Sequence, residues 1–312
     1  MYLLPNDSAQ EYLKKLREII RNGLQIVVIV FPSLRADKYH AVKKLCCADQ
    51  AIASQVFLGK TLSKPDKARS IVQKIALQMN CKMGGSLWAV HIPPSVKLMV
   101  CGMDTYHEAS MNDSFTRWYS KVALQNKGQE IIDELKLMFS SCLKTVNGKF
   151  PDRIIIYRDG VGDGAMKLIR DYEIAQIESV FRVIAPDYNP KFTFIIVQKR
   201  INTRIFLRVS IILCPNPPPG TILDHSVTRK HYKDFFLVPQ LVRQGTVSPT
   251  HYVILYDSEN SLLKPDMAQK ITYKLCHLYY NWPGTIRVPA PRSVASNAQS
   301  ISQAPKKVSN FG

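Results

Sequence analysis

Acidic residues are the scarce class in this chain. Its 312 residues hold 24 Asp and Glu against 42 Lys and Arg, a net charge of +18. That surplus draws polyanions, nucleic acid first and anionic membrane second. Cysteine is sparse as well. The seven cysteines are odd in number and scattered, and none stand as C-x-x-C, which excludes a zinc-finger pattern and a disulfide framework. Reduced intracellular thiols suit that usage. No apolar run reaches the ~20 residues that span a bilayer. The start, MYLLPNDSAQEYLKK, lacks the apolar core of a signal peptide. Walker A, GxGxxG, HExxH and GxSxG patterns are absent. What is present is the material for a core, since 46% of residues are apolar and 21% charged. General disorder is excluded.

The first ninety residues alternate helix and strand. Ser8-x-x-Glu11 forms a capping box ahead of a helical run that Gly23 ends. Leu24 to Phe31 is a continuous β-branched run that suits a buried strand. A second helix starts near Asp37, Gln55 to Leu58 reads as a short strand, and Pro65 opens a third helix. Such alternation means a parallel sheet with helices against it. Residues 1–90 carry 14 basic and six acidic residues.

After Pro93-Pro94, further strands are expected at Lys97–Met103, Trp118–Leu124, Arg153–Arg158, Phe192–Val197, Ile205–Leu213 and Tyr252–Tyr256. Helices are expected over Glu130–Cys142, after a cap at Asp163, and over Pro265–Tyr280. Residues 292–312 hold five Ser, three basic residues and no acid. That composition predicts a disordered tail.

Two of these strands end on a carboxylate, CGMD104 and YRD159. Ligands of α/β sheets sit beyond the carboxyl ends of strands. If the strands are neighbours, Asp104 and Asp159 converge there and suit Mg²⁺ or Mn²⁺. For either residue alone, ordinary turn chemistry at a strand end is the better explanation. Tyr39 and Lys43 share a helix face, and with Lys44, Gln55, Gln78 and Lys82 they supply the groups that hold a terminal phosphate and stack on its base. A solvated lysine face reads the same way in sequence. His251 and His277 have no partner at metal-ligand spacing.

Several runs, in order, carry a resemblance: YHAVKK, QKIALQMNCKMGG, VCGMDTYHE, QEIIDELK, IIIYRDGVGDG, NPPPGT, SPTHYVILYD and YKLCHLYYNWPGTIRVPAP. From about Leu24 to Pro291 the chain resembles Argonaute proteins of the Piwi branch. The resemblance implies an α/β chain: a partial Rossmann-like MID domain over 1–92, an RNase H-like PIWI domain over 93–291, and the tail from 292. It implies a guide-RNA protein of the silencing pathway, its guides being piRNAs that act on germline transposons. The implied partners are a small single-stranded guide, a complementary target RNA and other silencing proteins, with no membrane. The implied place is the cytoplasm, perinuclear granules or the nucleus. Position by position, Asp104 and Asp159 match the catalytic, metal-binding aspartates and Glu130 the mobile glutamate. Tyr39, Lys43, Gln55 and Lys82 match the 5′-phosphate pocket. Gln78 stands where many Argonautes have a lysine, and the resemblance implies that in the Piwi branch a metal ion, Mg²⁺, makes up for the missing charge.

The sequence departs from the family pattern twice. Only Ala109–Phe115 intervenes where the family has a second core strand, so the sheet is expected to be one strand short. No His follows His277, so the final His of the catalytic set is absent from this sequence. Guide binding with little or no cleavage is therefore expected. A working metal-dependent endoribonuclease is the alternative, and a non-binding interaction surface is the third reading.

Overall fold

Two β-sheets organise the chain, one in each of two compact units, the first built on Met1–Leu87 and the second on Trp88–Ala298. The computed structural model describes all residues except 21–22, 64, 93–96, 105, 123–128, 130, 146–149, 211–213, 259–264, 281–283 and 292–312.

In the first unit, β1 (Ile26–Phe31) runs parallel to β2 (Ala53–Leu58). Helices α1 (Ala9–Ile19), α2 (Ala36–Lys44), α3 (Gly59–Leu62) and α4 (Pro65–Lys82) complete it. The Ser8 hydroxyl accepts from the Glu11 N–H at 3.3 Å, which caps α1 as the sequence predicts. Its core is small: Leu16, Val27, Ile29, Phe31, Val42, Leu45, Cys46 and Ile52.

The second unit holds eight strands: β3 (Leu98–Met103), β4 (Tyr106–Ser110), β5 (Trp118–Val122), β6 (Arg153–Asp159), β7 (Lys191–Gln198), β8 (Thr221–Leu223), β9 (Lys233–Val238) and β10 (Thr250–Asp257). Their order is β5-β4-β3-β6-β7-β10-β9-β8. The central pairs β3–β6 and β6–β7 are parallel, and the flanking pairs are antiparallel. An antiparallel meander leading into parallel central strands is the arrangement expected of an RNase H-like fold. The remaining helices are α5 (Leu135–Thr145), α6 (Met166–Ile169), α7 (Ala175–Ile184) and α8 (Pro265–Leu275). The run RIIIYR in β6 is apolar on both faces because both are covered. Ile154 and Ile156 pack with Met138 and Ile177 of α5 and α7, while Ile155 and Tyr157 pack with Ile271 and Leu275 of α8.

Four expectations are corrected. The sheet is not one strand short beside β3. The segment Tyr106–Ser110 turns back directly and pairs antiparallel with β3, Met103 opposite His107. An unpaired β3 edge would leave backbone donors and acceptors unmet, and the nearest segment fills the place although its sequence is polar. The consequence is a buried His107 whose two ring nitrogens have no partner among the described residues. Second, Ile205–Arg208 pairs with no strand; Leu207 N–H donates to the Pro215 carbonyl, and Phe206 and Leu207 are half exposed. Residues 211–213 of that expected strand lie outside the described residues, as do the 292–312 tail and Glu130. Third, Asp163 caps no helix: its carboxylate accepts from Arg229 Nη2 at 2.8 Å and from Gln198 Nε2 at 3.0 Å. Fourth, α5 and α8 are displaced from the spans the periodicity predicts, since α5 begins at Leu135 and α8 ends at Leu275.

Candidate phosphate pocket and sheet-edge carboxylates

In the first unit the structure brings together Tyr39, Lys43, Gln55, Gln78 and Lys82. The i, i+4 spacing on α2 places Tyr39 and Lys43 on one face, with the Lys43 ammonium 5.8 Å from the Tyr39 ring centroid. Parallel pairing of β2 with β1 sets Ser54 and Gln55 opposite Val27 and Val28. The last turns of α4 carry Gln78 and Lys82 to the same point.

Lys43 Nζ donates to the Ser54 carbonyl at 3.0 Å and to Ser54 Oγ at 2.8 Å. Lys82 Nζ donates to the same carbonyl at 2.9 Å and to Gln55 Oε1 at 2.6 Å. Gln55 Nε2 donates to Gln78 Oε1 at 3.2 Å. Both ammonium groups thus rest on neutral oxygens, and among the described residues neither has a carboxylate partner. Burial of its ammonium, then the Lys43 charge, pulls the Lys82 pKa down to about 8. Burial also raises the Tyr39 phenol, with Cys47 adding to it. Two like charges held close without an acid form a receptor for an anion. Ser54 and Cys47 belong to this cluster and were not singled out from sequence; only their neighbours' chemistry could have pointed to them.

In the second unit the register Met103 opposite Arg158 brings Asp104 and Asp159 out of adjacent parallel strands, at the carboxyl edge of the sheet. From β7, Lys199 Nζ lies 3.3 Å from Asp159 Oδ2. Burial lowers the Lys199 pKa; the Asp104 charge opposes that, while Arg200 and Arg287 reinforce it. Beneath this edge Arg158 is buried against Glu173, Nε to Oε2 at 3.1 Å and Nη2 to Oε1 at 3.2 Å. Arg158 Nη1 also donates to the Asp159 carbonyl at 2.9 Å.

A closed polar ring follows the Asp159 loop. Asp163 accepts from Gln198, Gln198 Oε1 lies 2.9 Å from His251 Nδ1, and His251 Nε2 lies 2.7 Å from Asp234 Oδ2. Arg229 closes it, its backbone N–H on Asp234 and its guanidinium on Asp163. His251 is a satisfied structural histidine here. The signal for this ring, five polar residues on four separate segments, is not readable along a chain.

Oxygen donors at Asp104 and Asp159 suit a hard cation. Among the described residues, however, no group of three His, Cys, Asp or Glu could hold a metal. Glu130, the third donor named from the resemblance, lies outside the described residues; the two aspartates fit one hard cation, which meets the Lys199 ammonium at Asp159.

Comparison with known proteins places these features. The Piwi domain family matches residues 26–304. Piwi-like protein Ago3 of Bombyx mori is 50% identical over 92% of this chain and 32% of its own length. Piwi-like protein 1 of Gallus gallus is 48% identical over 92% of this chain and 34% of its own. The chain thus spans about a third of the length of the curated relatives it matches. Among solved structures, Drosophila Piwi superposes with a TM-score of 0.84 at 33% identity, over 95% of this chain and 42% of that one. Kluyveromyces polysporus Argonaute, solved with a guide RNA, shares the fold at a TM-score of 0.82 and 23% identity, over 94% of this chain and 39% of that one. No described helix is long and apolar enough to cross a membrane.

Proposed function

The chain belongs to the Piwi family of Argonaute proteins, and from that premise we propose that it anchors the 5′-phosphate of a small guide RNA without cutting the paired target. One observation carries the reading: Lys43 and Lys82 converge on Ser54 and Gln55 with no acid among their partners. A terminal phosphate offers both ammonium groups a charged acceptor in place of neutral oxygens, and charge-assisted hydrogen bonds are roughly twice as strong. Tyr39 supplies a ring for the first base. Gln78 adds an amide at the same point. In this reading the guides are piRNAs, the pathway is silencing of germline transposons, and the place is the cytoplasm, its perinuclear granules or the nucleus.

The absence of cleavage rests on the donors. Residues 278–312 hold no His, and Asp159 at the sheet edge already holds a lysine. Losing one member of a constellation that acts as a unit removes most of the rate. The alternative, a guide-directed endoribonuclease that uses Asp104, Glu130 and Asp159 with Mg²⁺ or Mn²⁺, draws on the side-by-side exit of the two aspartates.

Fluorescence anisotropy with a short single-stranded RNA tests the first part. The 5′-phosphorylated form is expected to bind about tenfold or more tighter than the 5′-hydroxyl form, an advantage that Lys43→Ala removes. Equal affinity for the two ends overturns it. Guide-loaded protein with a labelled complementary RNA in Mg²⁺ or Mn²⁺ is expected to leave the target intact. A cut at one phosphate that Asp159→Ala abolishes establishes the alternative.

A further inference from the structure

Asp104 and Asp159 leave adjacent parallel strands at the same level. Carboxylates that approach one another repel unless a cation lies among them. Lys199 supplies that cation from a third strand. It follows the last residue of β7, which lies on the other side of β6 from β3. Its Nζ is 3.3 Å from Asp159 Oδ2, with the lysine side chain 33% exposed and the aspartate 13%. The Asp104 charge acts on the same ammonium. The lysine backbone is fixed too, because Arg287 Nη2 donates to the Lys199 carbonyl. Sheet pairing and this bond fix the backbone from which the ammonium reaches Asp159.

We infer that Lys199 is a built-in competitor of divalent cations at the Asp104–Asp159 edge. A hard cation held by carboxylates needs the same Asp159 oxygens as the ammonium does. One ion can bridge the two aspartates only when Lys199 withdraws, and the lysine thereby weakens metal binding without forbidding it. A half-exposed ion pair is worth little, which makes the exchange reachable. This inference stands apart from guide anchoring, since it concerns the second unit alone.

Mn²⁺ binding to the purified full chain, read by electron paramagnetic resonance of the unbound ion, tests it. Lys199→Met keeps the stem and removes the charge, and it is expected to bind Mn²⁺ about threefold to tenfold more tightly than the parent protein. Lys199→Arg keeps a cation and is expected to match the parent. Asp159→Asn is expected to abolish the tight binding gained in Lys199→Met when the two are combined. Unchanged or weaker Mn²⁺ binding in Lys199→Met overturns the inference, as does tight binding that survives Asp159→Asn. If Lys199→Met does not fold, Lys199→Gln carries the same comparison with the same two outcomes.

Discussion

The candidate sites of the two units use their cations in opposite ways, although the first unit has carboxylate-paired cations elsewhere, Lys38 on Asp7 among them. In the first, Lys43 and Lys82 rest on the Ser54 carbonyl, Ser54 Oγ and Gln55 Oε1. In the second, Arg158 is locked to Glu173, Arg229 to Asp163 and Lys199 to Asp159. A cation on neutral oxygens gains when a phosphate arrives. A cation on a carboxylate must first give that partner up. The difference teaches that net charge alone does not locate a nucleic-acid site; the partner of each cation does. Under the proposed function, anchoring would then depend on the first unit alone and cleavage on the second.

The strongest break in that comparison is Glu173→Ala. Glu173 is fully buried, takes both Arg158 nitrogens and accepts the Ile132 N–H at 3.1 Å. Removing one partner of a buried pair costs about 3–5 kcal/mol. Chemical denaturation followed by tryptophan fluorescence is expected to show that loss in the second unit. The preference of the first unit for a 5′-phosphate should persist at concentrations of denaturant that leave it folded. Simultaneous loss of both means the units are not separable in the sense argued.

Lys43→Ala comes next and acts on the other side. Deleting a charged hydrogen-bond donor is expected to cost about 1.5–3 kcal/mol of 5′-phosphate affinity, with the denaturation midpoint of the second unit unmoved. A smaller affinity change than that of a surface lysine such as Lys14 refutes the pocket.

His107→Leu sharpens the comparison from within the second unit. The imidazole is buried beside Cys101, Met138, Phe139 and Cys142, around a cavity of about 10 Å³, and among the described residues neither ring nitrogen has a partner. Leucine removes a desolvation penalty of about 1–3 kcal/mol, so the variant is expected to be more stable by that order. Burial, then the Arg158 charge, holds the His107 pKa down to about 3 from the ordinary 6.5. The unfolded chain therefore binds one proton more between those values. Stability is complete above pH 6.5 and falls as pH drops toward 3, by up to about 1.4 kcal/mol per unit. His107→Leu should flatten that slope; an unchanged slope shows that other groups dominate acid unfolding.

Much of the fold was legible because its signals are local. The apolar runs IVVIVF and RIIIYR are strands wherever they are placed, and Ser8 with Glu11 fixes a helix start. The segment YHEAS was not legible, since its polar alternation says loop and only the open edge of β3 makes it a strand. Ile205–Arg208 failed the other way: an apolar sequence with no neighbour to pair. At the site, the five pocket residues and both aspartates could be named from motifs. Lys199, Ser54 and the Asp163–Gln198–His251–Asp234 ring could not, because each draws its meaning from partners that lie far away in sequence.

The smallest effect is the most specific to the contrast between neutral and acidic partners. Had Lys82 an acid beside it, its pKa would rise; resting on Ser54 and Gln55 beside Lys43, it falls to about 8. A phosphate dianion prefers the charged ammonium, so the bound state keeps a proton that the unliganded protein sheds above pH 8. Affinity for 5′-phosphorylated RNA is then expected to hold between about pH 6.5 and 7.5, since the second phosphate pKa lies near 6, and to decline above 8. The ceiling is tenfold per pH unit. The exposed stem of Lys82 lets solvent screen the pair, so the expected fall from pH 7 to 9 is about threefold to tenfold. Dividing by the affinity of the 5′-hydroxyl RNA at each pH removes changes along the rest of the strand. Lys82→Arg, whose guanidinium stays charged throughout, should keep the ratio level across that range. A ratio that is constant in the parent protein, or that falls equally in Lys82→Arg, shows that the phosphate does not meet this lysine.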